Sequence, residues 1–592
     1  MHRRELLAGA AALAAMPASR AASAAGPRTL RTAFDFGETG FDPVPVSDLS
    51  SNTIIAHIFE PPLTYDYLAR PAKLKALTAV ALPEVSSDWR RLVFTIRPGI
   101  LFADDPVFGG RPRELTAADY VYSLKRHYDP ALLGENLYIL ESARLPGLSE
   151  LRQAAIKNRT PFPYDVEVAG VRALDRYRFE VRTGVTDPRF VHNFTSATIA
   201  GALAREVVEA HGADIAAHPV GTGPFVLESW RRRSRIVLAR NPRFREQAFD
   251  AEPPPGDADA VAMAARLKGR RLPMLDRVEV SVIDEAQPRW LAFLNGELDV
   301  LELPPEFAPI ALPGGRLASK LVARGIGLRK VLNAETHHTY FNFLDPMVGG
   351  YAPENVALRR AVAMAYDNDV ANKQVYRGLA VPAQSMIAPQ TYGYDPAFAC
   401  DLGRGDAARA NALLDVYGYV DRNGDGWRER PDGKPLQLRM ADSDNQLARQ
   451  RNEMWRRCMD TIGVRMSFEN ANFGELIKRS MASQLMMWGY AWSAVVPDGD
   501  FFLGLTYGPN AYQSNDSRFQ LPAYDRLYER QRAMPDGAER LALMREAVKL
   551  QLAYVPNMPH RHRILADLVH PGVSGYLRHP FTRDWWRYTE VG

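Results

Sequence analysis

The sequence is short of cysteine and of net charge, and each shortage argues against a class of protein. Cys400 and Cys458 are the two cysteines among 592 residues, which excludes a disulfide-rich scaffold and a zinc site built from Cys-x-x-Cys pairs. One disulfide and two buried thiols fit the sequence equally well. The 73 basic and 69 acidic residues leave a net charge of +4, so we do not expect a nucleic-acid partner.

Long apolar runs and enzyme signatures are missing as well. After residue 24, no stretch reaches the roughly 18 uninterrupted apolar residues of a membrane span, so we expect a chain that is not embedded in a membrane. The sequence lacks Gly-x-Ser-x-Gly, His-Glu-x-x-His and the phosphate-binding Gly-x-x-x-x-Gly-Lys pattern. Because these patterns would supply a nucleophile, a metal site or a phosphate cradle, we predict a protein that is not an enzyme.

The first 24 residues carry an export signal. The pair Arg3-Arg4 precedes an apolar run at 6–16, and small residues lie at 22–24. This arrangement predicts a signal peptide that is cleaved near Ala24. The twin arginine resembles a Tat signal, although the general secretory route stays open. No cysteine follows the run, so we predict an unanchored protein in the periplasm with a mature charge of +2.

Along the rest of the chain, strand-like and helix-like apolar spacing alternate, which predicts a mixed α/β fold. Thr116 is the predicted N-cap of one helix, with Asp119 as the acidic third residue of a capping box. Two segments rich in Pro, Gly and Asp, 252–257 and 422–435, are expected to be loops. We predict strands at 28–36, 92–96, 235–239 and 278–282, and helices at 51–59, 115–127, 355–366, 407–417, 444–462 and 538–553.

Seven separated motifs occur in an order that is typical of one family. They lie at 58–66, 96–102, 115–120, 219–225, 294–299, 358–362 and 518–528. In these motifs the chain resembles the family 5 bacterial extracellular solute-binding proteins, the oligopeptide- and dipeptide-binding type that serves ABC importers. The similarity extends over nearly the whole mature length. It implies a receptor that hands a peptide or peptide-like small solute to the permease subunits of an importer, and we expect a monomer.

The resemblance also implies an architecture, an α/β periplasmic-binding-protein fold of two lobes whose hinge the chain crosses twice. An extra domain is expected on the first lobe, as in the type II, cluster C-like arrangement. The ligand would lie in the cleft and drive the lobes to close around it. The implied boundaries place lobe 1 at 28–59, 195–304 and 563–592, the extra domain at 60–194, and lobe 2 at 305–562.

Two segments are expected to line this cleft, because extended peptides bind relatives through backbone pairing on both lobes. Trp492 would form an apolar wall, and Trp488 is expected to lie in the core of the sheet. Trp488, Tyr490 and Trp492 alternate with small residues, which predicts a strand with one aromatic face. The residues that we expect to contact the ligand in these segments are Ser51, Asn52 and Thr53 in the first, and Tyr490, Ala491, Trp492 and Ala494 in the second.

One departure from the family pattern bears on the ligand. Val495 occupies the position where peptide-binding relatives carry an aspartate that pairs with the free amino group of the peptide. Valine cannot balance a buried ammonium group. Either Asp498 or Asp500 substitutes for the missing carboxylate, or the ligand has no free amine, as in a blocked or cyclic peptide, a sugar derivative, or a haem or nickel complex.

Metal sites are the weaker interpretation of several motifs. Residues 421–432 open like a calcium-binding loop, yet no paired helix is predicted after them. His560 and His562, and the pair His337-His338, lack a third ligand at suitable spacing. We therefore expect neither a metal nor another cofactor. A periplasmic chaperone or a sensory partner on the same scaffold is the remaining alternative function.

Overall fold

A computed structural model describes residues 26–592 of the chain. The predicted export signal, residues 1–24, lies outside the described residues. Within them, no helix combines the length and the apolar character that a membrane crossing requires. The strands, numbered along the chain, are β1 (Thr29–Phe34), β2 (Leu63–Tyr65), β3 (Leu74–Ala76), β4 (Glu84–Val85), β5 (Arg91–Thr95), β6 (Val171–Ala173), β7 (Arg178–Arg182), β8 (Phe225–Arg231), β9 (Arg235–Arg240), β10 (Arg277–Val282), β11 (Val300–Glu302), β12 (Gly327–Leu332), β13 (Glu335–Phe341), β14 (Ala380–Pro382), β15 (Gln437–Ser443), β16 (Arg465–Ala471), β17 (Met487–Ser493), β18 (Asn557–Val569), β19 (Val573–Ser574) and β20 (Glu590–Val591).

The helices confirm the predicted elements to within a few residues. Thr116 and Asp119 form the expected capping box, in which the Asp119 carboxylate accepts the Thr116 backbone N–H at 2.7 Å. The α-helices are α1 (Leu49–Ile58), α2 (Ala117–Arg126), α3 (Leu137–Ala143), α4 (Leu148–Asn158), α5 (Ala197–Ala200), α6 (Arg205–His211), α7 (Ala258–Leu267), α8 (Ala286–Leu294), α9 (Ala308–Ala311), α10 (Ser319–Val322), α11 (Pro353–Ala365), α12 (Asn368–Gln374), α13 (Ala407–Val416), α14 (Gln446–Asp460), α15 (Phe473–Met481), α16 (Asp500–Leu503), α17 (Pro522–Arg532) and α18 (Ala538–Tyr554).

Three sheets organise the molecule. The first has the order β1-β10-β9-β8, with β1 parallel to β10. A smaller antiparallel sheet, β4-β5-β7-β6, belongs to the segment predicted as the extra domain. One hydrophobic core joins the two, since Leu30 and Val278 of the first sheet and Phe94 and Phe179 of the smaller sheet lie in the same buried cluster. The two sheets therefore fold as one packed unit.

The third sheet takes most of its strands from the segment predicted as the second lobe and has the order β11-β18-β13-β17-β15-β16. β18 is the long central strand, and β12 and β14 also pair with it. It runs unbroken across the predicted boundary between 562 and 563, because it pairs with β13 in its first half and with β11 and β12 in its second. A separate core around Phe341 and Trp455 covers one face of this sheet. Cys400 and Cys458 are both free thiols.

Buried histidines give the fold a pH dependence. Burial lowers the pKa of His127, His338 and His562 to about 4. In the unfolded chain these groups titrate near 6.5, so their contribution to stability is complete above that pH and is lost as the pH falls towards the folded values. We expect each to remove on the order of 1 kcal/mol of stability at one pH unit below the unfolded pKa.

Thermal unfolding measured from pH 7.5 down to pH 5.5 should therefore show a falling Tm. His338→Gln should reduce the dependence of Tm on pH, because glutamine takes up no proton in the unfolded chain. A Tm that stays constant over this range would contradict the pKa shifts of the three histidines.

Candidate functional site

The most distinctive backbone feature of the second lobe is a strand with one open edge. β17 pairs with β13 along its full length, from Glu335 opposite Ser493 to Phe341 opposite Met487. On its other side it pairs with β15 only at Met487 and Trp488. From residue 489 to residue 493, this second edge has no strand partner within the described residues.

The direction of the backbone groups on β17 follows from one hydrogen bond. The Ala494 N–H donates to the carbonyl of Ala334 at 2.7 Å, towards β13. Along an antiparallel strand, the backbone groups of successive residues point alternately to one side and to the other. The N–H and C=O groups of the odd-numbered residues of β17 therefore point away from β13. Gly489, Ala491 and Ser493 therefore present free donors and acceptors along the open edge, in a geometry that can add an extended chain.

The aromatic face of β17 confirms the predicted alternation. Trp488 is buried, as expected for core, and stacks on Tyr490 with ring centroids 4.4 Å apart. The indole N–H of Trp492 donates to the Tyr490 hydroxyl at 2.7 Å, and that hydroxyl donates to the Asp516 carboxylate. These bonds fix the orientation of Trp492, which keeps part of its surface exposed.

An apolar contact between the two lobes lies next to Trp492. The Trp492 side chain contacts the ring of Phe501, and the two ring centroids lie 5.8 Å apart. Ala494 and Phe502 of the second lobe share a buried cluster with Tyr65 and Phe581, which come from the other side of the cleft. This buried cluster joins the two lobes next to the partly exposed Trp492.

The loop after β17 holds Val495 beside a small cavity of about 80 Å³ between the lobes. Tyr138, Arg189 and Arg532 also line it. Arg189 donates to the carbonyl of Met534 at 2.7 Å, and this bond links the extra-domain segment to the second lobe. The lobes are therefore in contact on this side.

The acidic residues that follow Val495 already have protein partners. Both carboxylate oxygens of Asp498 accept hydrogen bonds from Arg540, at 2.6 and 2.8 Å, and the Asp498 side chain is buried. Asp500 accepts the side-chain amide of Gln531 at 2.9 Å. The alternative in which Asp498 replaces the missing aspartate is therefore not what the structure shows, because Arg540 neutralises it.

The first predicted contact segment lies in the helix that the sequence predicts at 51–59. Ser51, Asn52 and Thr53 form the beginning of α1, and the Asp48 carboxylate accepts the Ser51 N–H at 2.7 Å. Ser51 and Thr53 are buried, and the Ser51 hydroxyl accepts the Thr39 N–H at 2.9 Å. The prediction that this segment pairs with the backbone of a ligand is wrong, because helical hydrogen bonds and the cap use its backbone groups.

A network of charged residues lies where the lobes meet. Arg563 donates to Glu335 at 2.8 Å and to Glu302 at 3.1 Å, and Ser493 at the end of β17 donates to Glu335 at 3.1 Å. Burial opposes ionisation of Glu335, but Arg563 and His337 hold its pKa well below its usual range. The network of Arg563, Glu335 and Glu302 thus forms a charged surface, the charged floor of the site, next to the open edge of β17.

Sequence reasoning missed the role of β18 in this floor. The signal in the sequence is the alternation His560-Arg561-His562-Arg563, in which the arginines accompany the histidines considered as metal ligands. His560 bonds Thr339 at 2.9 Å and His562 bonds Thr336 at 3.2 Å, so their ring nitrogens are engaged within the protein. The two arginines, rather than the histidines, carry the charge of this strand.

Two groups with metal-ligand chemistry lie away from the cleft. Exposed Asp421 and Asp425 approach the less exposed Glu429 within 4.8 Å in the loop that resembles a calcium site, and Arg465 pairs with Asp425 at 2.5 Å. Position 432, the expected twelfth ligand, is not in this group. The second group consists of Asp105, His211 and His218.

Comparison with known proteins agrees with this geometry. The chain is 25% identical to di/tripeptide-binding protein 2 of Pseudomonas aeruginosa over 96% of each chain. It is 23% identical to the probable deoxycholate-binding periplasmic protein YgiS of Escherichia coli, over 84% of this chain and 81% of that protein. The periplasmic binding protein DppA from Helicobacter pylori, solved in complex with the peptide STSA, superposes with a TM-score of 0.75 at 18% identity, over 95% and 98% of the two chains.

The two-lobed fold predicted from the sequence is thereby confirmed. A family model described as "Bacterial extracellular solute-binding proteins, family 5 Middle" matches residues 73–514. Its members are binding proteins, which agrees with the prediction that this chain is not an enzyme. The chain belongs to the family 5 bacterial extracellular solute-binding proteins.

Proposed function

We propose that this chain is a periplasmic receptor that captures peptides or peptide-like solutes between its lobes and delivers them to the permease subunits of an ABC importer. The observation that carries this proposal is the open edge of β17. Free backbone groups at Gly489, Ala491 and Ser493 suit a ligand that has a backbone of its own. Such pairing gives affinity without reading side chains, as a peptide importer requires.

The names of relatives support the same substrate class. Di/tripeptide-binding protein 2 is similar over nearly its whole length. The domain boundaries inferred from the sequence belong to the proposal, with lobe 1 at 28–59, 195–304 and 563–592, the extra domain at 60–194 and lobe 2 at 305–562. So do the ligand contacts of Tyr490, Ala491, Trp492, Ala494 and Val495, and cleavage of the export signal near Ala24.

Val495 leads to an expectation about the amino end of the peptide. With valine here, Asp498 neutralised by Arg540 at 2.6 Å and Asp500 accepting the Gln531 amide at 2.9 Å, we expect no carboxylate of this loop to pair with the ammonium group of a peptide. Acetylation of the peptide should therefore change affinity by less than about threefold, far below the cost of losing a buried ion pair.

Isothermal titration calorimetry tests both points, with unmodified and acetylated di- to pentapeptides as paired ligands. A bound peptide should also raise Tm, since a ligand at 100 times its Kd stabilises the folded state by about 2.7 kcal/mol. Failure of every peptide to bind, together with binding of deoxycholate, would assign the cleft to a non-peptide solute. Strong loss on acetylation alone would show that another carboxylate captures the amine.

A further inference from the structure

A buried positive charge in the second lobe has no acidic partner. Arg561 is 8% exposed, and its guanidinium lies 3.5 Å from the centroid of the Tyr376 ring. Among residues 26–592, no carboxylate oxygen lies within 4.0 Å of its nitrogens. Its one side-chain hydrogen bond there is from Nη2 to Nδ1 of His337, at 2.8 Å. An isolated buried charge is costly, so the site is incomplete without an anion.

The acids nearest to this arginine are committed elsewhere. Asp442 accepts the guanidinium of Arg451 from α14. Glu335 accepts Arg563 at 2.8 Å and the ring of His337 at 3.0 Å. Because Nδ1 of His337 accepts from Arg561, its proton is on Nε2, which donates to Glu335. His337 is thus a neutral bridge and does not compensate the charge of Arg561.

The position of Arg561 relates it to the open edge. Ala491, His337 and Arg561 are opposite one another on three adjacent strands, so their side chains share one face of the sheet. Adjacent strands lie about 4.8 Å apart, which places Arg561 about 10 Å from the β17 backbone. On that face β17 carries Gly489, Ala491 and Ser493, which have small side chains. A peptide paired at Ala491 lies one spacing further out, so its backbone is about 14 Å from that of Arg561. The extended arginine side chain and an acidic side chain or chain end directed towards it span this distance together.

We propose that Arg561 binds a carboxylate of the captured solute and makes this receptor selective for acidic peptides. The proposal rests on the proposed function, because the peptide must first pair with β17. The carboxylate is either the carboxyl terminus or an acidic side chain, and both offer the same bidentate partner to a guanidinium. The receptor thus recognises the acidic part of its ligand, whereas Val495 leaves the amine unrecognised.

Calorimetry with three probe peptides separates the two sources. Ala-Ala-Ala carries a free carboxyl terminus, Ala-Glu-Ala-amide carries an acidic side chain, and Ala-Ala-Ala-amide carries neither. We expect at least one of the first two to bind wild-type protein about 10-fold more tightly than the neutral amide, which corresponds to about 1.4 kcal/mol. The peptide that binds more tightly than the neutral amide identifies which carboxylate, the carboxyl terminus or the acidic side chain, Arg561 binds.

The variant Arg561→Gln should remove that preference and leave binding of Ala-Ala-Ala-amide unchanged. Arg561→Lys, which keeps the charge and loses the bidentate fork, should keep part of it. Arg449→Gln, at an exposed arginine of α14 with 64% of its side chain accessible, is the matched control and should bind all three peptides as wild type does.

Each outcome decides one question. Binding of the neutral amide without a preference for either acid overturns the role of Arg561 and leaves the proposed function standing. A preference for the acidic peptides that survives in Arg561→Gln also overturns the role of Arg561. If Arg561→Gln does not fold, the comparison of the three peptides on wild-type protein tests that role instead. Failure of all three peptides to bind wild-type protein counts against the proposed function itself, and the inference about Arg561 falls with it.

Discussion

Arg540→Met should lower the free energy of unfolding by about 3–5 kcal/mol, because buried Asp498 loses both hydrogen bonds from its guanidinium partner and keeps only Arg189, at 3.8 Å, as a cationic neighbour. The two side chains are 0% and 5% exposed, and their two hydrogen bonds measure 2.6 and 2.8 Å. The pair joins α18 to the loop that carries Val495. Its loss should therefore loosen that loop as well as destabilise the second lobe. The shift of the urea midpoint, at constant slope, measures the effect.

Two further variants make the result interpretable. Asp498→Asn in the Arg540→Met background removes the orphaned charge, so the double variant should be more stable than Arg540→Met alone. Arg530→Met is the matched control, since Arg530 is 64% exposed and lies 4.0 Å from Glu539. It should change stability by less than about 0.5 kcal/mol. An Arg540→Met midpoint that equals the control would show that Asp498 is neutral in the folded protein.

The sequence predicts those parts of the fold that depend on local patterns. The capping box at Thr116 and Asp119 forms as expected, because the two residues contact each other within one helical turn. Trp488, Tyr490 and Trp492 form one strand with an aromatic face, because strand periodicity is local. Family motifs supply the two-lobed arrangement, which no local pattern contains.

What the sequence does not predict arises from contacts between distant segments. Asp498 resembles a free ligand-binding acid until Arg540, 42 positions further on, neutralises it. The backbone pairing with a ligand that we expected at Ser51 fails because Asp48 caps a helix at that point and uses the Ser51 N–H. Arg561 shows no unusual pattern by itself, and it stands out only when strand register aligns it with Ala491 through His337.

Ala491→Pro should weaken peptide binding about 100-fold, since it removes a donor from the open edge and places a ring where the ligand backbone would lie. The fold should tolerate the change. The Ala491 N–H points away from β13, so the β13-β17 ladder keeps all its hydrogen bonds, and proline is acceptable at such an edge position. We expect an unchanged circular dichroism spectrum and a small shift in Tm.

The comparison with Ala491→Ser isolates the backbone contribution, because serine is also small and retains the N–H. Calorimetry should give wild-type affinity for Ala491→Ser and the large loss for Ala491→Pro with the same peptide. Since a solute without a peptide backbone does not need the edge donor, the ratio of the two affinities reports directly how the ligand is held. Equal affinities in the two variants would mean that the ligand does not pair with β17, and the substrate class would then have to be inferred from the apolar wall around Trp492 alone.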